Sequence, residues 1–343
     1  MTKGNGSMGR MKQIIISIAA KSVFFIALSL PAQANPEVWK ESEWSETDFS
    51  RSLIDFKDVL SGGPPKDGIP SIDNPDFVPL DGAAKAFQVP LGPQEPVIAL
   101  EIHGDARAYP LRVLTWHEIV NDEVGGVPVA VTYCPLCNSA VVFERREQGQ
   151  VYEFGTTGKL LNSNLIMYDR QTESWWQQFT GVAIVGEKVG AELKLVPARL
   201  ISLQEFGQMH PDGIVLVPTD PEARPYGRNP YEFYDHPEKL PFLYNGSLPE
   251  NINPMARVVI VKTPEGPLAW ALEFVRKQQR IEAGGYVIEW RPGQNSALDT
   301  SEIKKGRDVG SVSVQLDGED APYDVALAFA FHAFHPEVPI TTD

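Results

Sequence analysis

The sequence predicts a β-rich α+β fold of mostly antiparallel strands with a few short helices. Three observations carry this. Most of the chain alternates short apolar, β-branched runs with clusters of Gly, Pro and Asn that signal turns. Stretches with helical spacing are few and short. The run over residues 127–143 reads as two strands joined at Cys134-Pro135-Leu136-Cys137, because apolar and β-branched residues dominate both sides of that turn. No internal repeat and no low-complexity segment is legible.

Taken in order, residues 1–34 read as a signal peptide. Lys3, Arg10 and Lys12 give a basic start, residues 14–30 are largely apolar, and Ala32-Gln33-Ala34 is a small-x-small cleavage site. Lys21 interrupts the apolar run, which fits a start at Met11 and a core over residues 23–30. The alternative is an uncleaved anchor. No later stretch is apolar and long enough to span a bilayer. The expected mature protein is therefore residues 35–343, a single β-rich domain, periplasmic or secreted, with no stable membrane span after cleavage. The formal net charge of -15 leaves no basic stripe and excludes nucleic acid as a partner.

Residues 37–46 read as a loose acidic lead-in, and residues 49–60 as a helix capped by Thr47 or Asp48. Residues 61–70 are too rich in Gly and Pro for regular structure and read as a rigid loop packed over a site. Two short strands follow, then a helix over residues 113–122. Gly155-Thr156-Thr157-Gly158-Lys159 has the wrong spacing for a phosphate loop and reads as a turn. Residues 202–210 read as a helix ended by Pro211. Residues 219–248, dense in Pro, Tyr, Asn and Gly, read as an extended surface excursion. Residues 255–262, 268–274, 286–290, 311–316 and 324–334 read as a run of antiparallel strands.

The motifs Gly62-Gly63-Pro64-Pro65-Lys66-Asp67-Gly68-Ile69-Pro70, Ala108-Tyr109-Pro110, Trp116-His117-Glu118-Ile119-Val120-Asn121-Asp122, Thr132-Tyr133-Cys134-Pro135-Leu136-Cys137 and the stretch from Met167-Tyr168-Asp169-Arg170 to Trp175-Trp176-Gln177 occur in that order. Together they resemble domain-of-unknown-function family 3179, a group of exported prokaryotic proteins. The resemblance implies fold and address, not a reaction. Asn138 stands where the family pattern has Gly, and Asn tolerates the positive φ such a turn needs.

The chemistry centres on Cys134 and Cys137, the only cysteines. The residues after Cys137 read as strand, so no helix N-terminus lowers a thiol pKa as in thioredoxin-like proteins. A disulfide across two intervening residues removes little unfolded-state entropy, which argues against a purely structural bridge. Two thiolates suit copper(I) or zinc, provided other donors converge. His117 is the candidate third ligand, oriented by Glu118 or Asp122. A zincin reading fails because Asn121 stands where the second His belongs. Met167 and Asp169, two apart on a strand, share a face and are further candidate donors. Trp175, Trp176 and Gln177 are a candidate stacking platform for a small planar ligand. His332 and His335 are weighed as a pair near the C-terminus.

Three functions remain open. The first is an exported protein whose cysteine turn binds a soft metal ion, copper(I) or zinc, for metal handling or a metal-dependent reaction. The second is a thiol–disulfide oxidoreductase using Cys134 and Cys137. The third is a non-catalytic module that binds a small molecule and has a structural cysteine turn.

Overall fold

The hairpin at the cysteines forms as its composition demands. In the computed structural model, which describes residues 1–2 and 35–343, Val127–Cys134 runs antiparallel to Ser139–Glu144, with Cys134 opposite Ser139. Ile119–Val124 flanks the first strand and Leu195–Val196 the second, giving a four-stranded sheet. All of Val127–Cys134 beyond Val127 is buried, so both faces are covered and the apolar run is continuous rather than alternating. Among the described residues the strands gather in six sheets, with six short helices. Among the described residues the strands pair antiparallel except where Ile214–Val217 lies parallel to Asp105–Pro110, and isolated parallel bridges join Ile72 to Val120 and Trp270 to Thr341. The signal-peptide expectation falls, beyond residues 1–2, outside the described residues. Among those described, no helix is long and apolar enough to cross a membrane.

Several local expectations are corrected. The helix expected over 113–122 is Leu111–His117. It stops because Glu118 turns left-handed at φ 59, after which Ile119–Val124 pairs as a strand with Val127–Cys134. The strands expected over 268–274 and 324–334 each change type midway. Gly266–Ala271 leads into the helix Leu272–Gln278, and Tyr323–Leu327 into the helix Ala328–Phe334. The lead-in is not loose. Asn35 caps the helix Pro36–Ser42 by accepting from the N–H groups of Glu37 and Val38, and Trp44 is fully buried. Residues 49–60 hold only the 3-10 turn Phe56–Asp58 and the strand Val59–Ser61. There Phe49 and Phe56 pack edge-on in an aromatic cluster with Trp39, and Phe49 also meets Trp175.

The structure also overturns the absence of a repeat. Pro96–Ile102, Asp105–Pro110, the helix Leu111–His117 and Ile119–Val124 are matched in order by Arg257–Thr263, Gly266–Ala271, the helix Leu272–Gln278 and Arg280–Ala283. Val97 pairs with Pro110 and Ile102 with Asp105, as Val258 pairs with Ala271 and Thr263 with Gly266. Both helices end on a left-handed residue, Glu118 at φ 59 and Gln279 at φ 62. Those carbonyls accept from Tyr133 and Trp290 respectively, at 2.8 and 3.0 Å. Each half closes with a strand and a second seven-residue helix, Arg199–Ser202 with Leu203–Met209 and Tyr323–Leu327 with Ala328–Phe334. Leu203 and Gln204 donate to the carbonyls of Glu95 and Pro93 just as Ala328 and Phe329 donate to those of Ala256 and Pro254. His210 lies 5.3 Å from Phe206, and His335 lies 5.3 Å from Phe331. With Tyr133 equivalent to Trp290, Cys134 falls on Arg291 and Cys137 on Gln294. The cysteine turn thus belongs to the first half alone.

Between its hairpin and closing strand the first half carries an inserted sheet, in which Phe154–Leu161, Asn164–Asp169 and Trp175–Gln177 pair in sequence. Gly155 to Lys159 lie within the first of these strands rather than in a turn. The Gly/Pro loop packs on that strand as a fixed element. Gly62 N–H donates to Gly158 O (2.8 Å) and Asp67 N–H to Thr156 O (2.9 Å). Gly158 sits at φ 68, and a Cβ there would lie 2.0 Å from Pro64 O, so only glycine allows this approach.

Candidate functional site

The cysteine turn is closed by two backbone bonds, Cys137 N–H to Cys134 O and Asn138 N–H to Pro135 O, both 3.2 Å. Asn138 takes φ 51, the left-handed value expected for it. The second half clamps the turn from outside. Leu327 N–H donates to Cys137 O (2.8 Å), Asn138 Nδ2 to Val325 O (2.6 Å), and Asp324 accepts from Ser139 Oγ (2.6 Å) and Ala140 N–H (2.9 Å). Burial raises the Asp324 pKa, and those donors oppose the shift.

Both thiols are free and buried. They converge on one acceptor, the carbonyl of Ser163, at 3.8 Å from Cys134 Sγ and 3.5 Å from Cys137 Sγ. Ser163 and Asn162 form the tip of the Phe154–Leu161/Asn164–Asp169 hairpin, at φ 63 and 54. Burial raises the pKa of Cys134, but the Cys137 thiol and the backbone N–H groups of Leu165, Cys137 and Leu136 outweigh it and hold Cys134 below its usual range. Cys137 moves the opposite way, raised by burial and by its bond to Cys134. The two thiols thus shift in opposite directions.

A strap over residues 238–248 covers the sulfurs. Ser163 Oγ donates to Phe242 O (2.6 Å), and Phe242 N–H donates to the hydroxyl of Tyr234 (3.1 Å). Tyr234 is buried in the same apolar cluster as both cysteines, with Tyr231, Leu243 and Tyr244 packed against it. The excursion therefore shows Leu240 and Phe242 to solvent and Tyr231, Tyr234 and Tyr244 to the cluster that holds the thiols.

Glu118 is the residue whose role the sequence reading missed. It was weighed only as a support for His117, yet it lies close enough to Cys134 for their charges to interact. Burial, then the Cys134 charge, pushes its pKa up to about 8. Its folded-state pKa stands above the ordinary 4.5, so the folded chain holds an extra proton between those values. Stability therefore falls as pH rises from 4.5 to about 8. Glu118→Gln is expected to flatten that decline and to be more stable than the parent at pH 8, read by urea unfolding at pH 5, 6.5 and 8. An unchanged slope would remove the assignment.

The other expected donors do not join the thiols. His117 Nδ1 bonds Pro70 O and Nε2 bonds the Tyr226 hydroxyl, both at 2.8 Å, and burial lowers its pKa. Both ring nitrogens are engaged in these bonds. Asp169 accepts from Trp176 Nε1 (2.8 Å), Thr172 N–H (2.6 Å) and Thr172 Oγ1 (2.9 Å), and burial raises its pKa. It anchors a turn. Met167 is fully buried in the apolar cluster that holds both cysteines. Among the described residues no group of three His, Cys, Asp or Glu side chains is placed to share a metal ion. Trp175, Trp176 and Gln177 are all buried. Trp175 lies among Trp39, Trp44 and Phe49, and Trp176 among Tyr152 and Phe154. Gln177 is buried, with Nε2 bonded to Asn164 Oδ1 (2.5 Å). None of the three presents a face to a ligand. His332 meets Ser247 Oγ (3.1 Å), and His335 packs beside Phe179 and Phe331.

No curated protein and no solved structure matches the chain. A family model does, over residues 66–338, a span that holds the second part of the Gly/Pro loop, both halves and the cysteine turn. The chain therefore belongs to the family described as "Protein of unknown function (DUF3179)".

Proposed function

We propose that this chain is an exported protein whose Cys134 and Cys137 cycle between dithiol and disulfide. The observation that carries the reading is the convergence of two free thiols, within one tight turn, on the Ser163 carbonyl. The Cys137 N–H to Cys134 O bond (3.2 Å) closes a β-turn, which keeps the two Cα atoms within about 7 Å, close to the reach of a disulfide. The opposed shifts of the two thiols supply a division of labour. The Cys134 thiolate attacks one sulfur of a disulfide substrate and expels the other as a thiolate. Cys137 then gives up its proton and attacks Cys134 Sγ, releasing the second thiolate. Two electrons pass from the protein to the substrate, and the reverse sequence oxidises a dithiol. Glu118 is a buried carboxyl whose charge interacts with that of Cys134. Export rests on the basic start, the apolar run and Ala32-Gln33-Ala34.

A second reading keeps the same sulfurs. Cys134, Cys137 and Met167 share one dry apolar cluster, and soft sulfur donors in such a setting favour copper(I). Zinc, which takes four ligands, is less well served. One experiment separates the two. The protein is equilibrated with glutathione disulfide, quenched in denaturant with iodoacetamide, and weighed, while metal is quantified in parallel. Loss of both alkylation sites with a mass two hydrogens lighter is expected. Thiols that stay alkylatable, together with stoichiometric copper lost in Cys134→Ser/Cys137→Ser, would replace the redox reading with the metal one.

A further inference from the structure

The equivalence of the two halves uncovers a second site, independent of the thiols. In the first half the space beside the helix Leu111–His117 is filled from within. The buried Arg112 guanidinium pairs with Glu95 through Nε (2.8 Å) and Nη2. It also donates to the carbonyls of Val89 (2.5 Å) and Pro90 (3.4 Å) and sits 4.9 Å over Phe87. The second half keeps neither partner. Glu273 stands at the position of Arg112 and Ala256 at that of Glu95. Glu273 is half exposed and pairs with Arg276 (2.8 Å). A cavity of about 520 Å³ opens there, lined by Arg257, Arg276, Arg307, Glu273, Asp308 and Phe274 among others.

The charges on its wall are unevenly spent. Asp308 accepts from the N–H groups of Gly293 (3.0 Å) and Gly310 (2.8 Å), and Glu273 is taken up by Arg276. Arg307 bonds Asp235 (2.8 Å) and Asp299 (3.0 Å) but is only partly buried. Arg257 is different. Its side chain is 7% exposed. Nη2 bonds Asp235 (2.7 Å) and Ser296 (2.8 Å), while Nε has no acceptor among the described residues. Buried guanidinium donors are rarely left unpaired, and a planar oxyanion is the group their fork matches. Leu272, Phe274 and Val309 supply an apolar flank on the same wall.

We propose that this cavity binds a small organic oxyanion, a carboxylate or a phosphate, which lies among the guanidinium groups of Arg257, Arg276 and Arg307 on its wall and rests its apolar part on Phe274. The second half thereby holds a ligand where the first half holds its own Arg112–Glu95 pair. The test is calorimetric titration of the full chain with benzoate and with inorganic phosphate in chloride buffer. Saturable binding of at least one probe is expected; benzoate alone marks a carboxylate site and phosphate alone a phosphate site. Ala256→Glu, which restores the carboxylate of the first half, and Arg307→Ala should each weaken binding at least tenfold. Because Arg307→Ala also loses bonds to Asp235 and Asp299, Arg276→Gln serves as a second variant at the exposed mouth, with a smaller loss expected. Arg280→Ala, an exposed arginine on another strand, should leave affinity unchanged. No saturable binding of either probe, or equal affinity in every variant, would overturn the assignment.

Discussion

Cys137→Ser is expected to leave the protein trapped as a mixed disulfide with glutathione at Cys134, and Cys134→Ser to form no adduct. The asymmetry follows from the turn. The Cys137 thiol and the backbone N–H groups of Leu165, Cys137 and Leu136 lower the Cys134 pKa, which favours its thiolate; only the thiolate attacks a disulfide. Cys137 keeps its proton until Cys134 is consumed, so its task is the second attack. Removing it stops the sequence at the covalent intermediate, and removing Cys134 abolishes the sequence at its start. Intact-mass analysis after incubation with glutathione disulfide reads both outcomes. Adducts of equal extent in the two variants would show that the thiols are equivalent and would remove the proposed order of attack. The strap over residues 238–248 makes a further demand. Both sulfurs are about 1% exposed or less, so adduct formation in the native protein should be much slower than in urea.

Arg112→Met should cost about 3–5 kcal/mol, the loss expected when one member of a buried ion pair is removed and the other remains. Arg112 and Glu95 are each about 1% exposed. Without the guanidinium, the Glu95 carboxylate retains only Gly92 N–H (2.8 Å), and the Val89 and Pro90 carbonyls lose their donor. The double variant Arg112→Met/Glu95→Gln should recover part of the loss, because no charge is then stranded. Urea unfolding of the two single variants and the double one gives the coupling directly. Additive losses would show that the pair contributes nothing as a pair, and would weaken the view that it plugs the first half's counterpart of the arginine-lined cavity.

The sequence revealed the strand–turn–strand at the cysteines because its signal is local: β-branched runs on both sides, a proline in the turn and an Asn that accepts positive φ. The short helices were hidden by their length. Leu111–His117 and Leu272–Gln278 make about two turns each, too short for a 3.6-residue period to stand out from a buried strand. The repeat was hidden for another reason. Val97 and Val258, Ala108 and Ala269, and Leu111 and Leu272 agree, but the halves are conserved in backbone hydrogen bonding rather than in side chains. The site was legible only at its centre. Ser163 reaches the thiols through a hairpin tip, and Tyr231 packs against their cluster from about 100 residues downstream. His117 looked like a ligand because the sequence does not show Pro70 and Tyr226 occupying both of its nitrogens.

The clasp of Tyr323–Leu327 on the cysteine turn joins residues separated by more than 180 positions. A chain that emerges from its N-terminus first therefore has both sulfurs in the open until the clasping strand, almost two hundred residues later, is made. Their shelter is completed only by the final strand and helix. Until that strand pairs, Asn138, Ser139 and Ala140 lack the partners that hold the cysteine turn from outside.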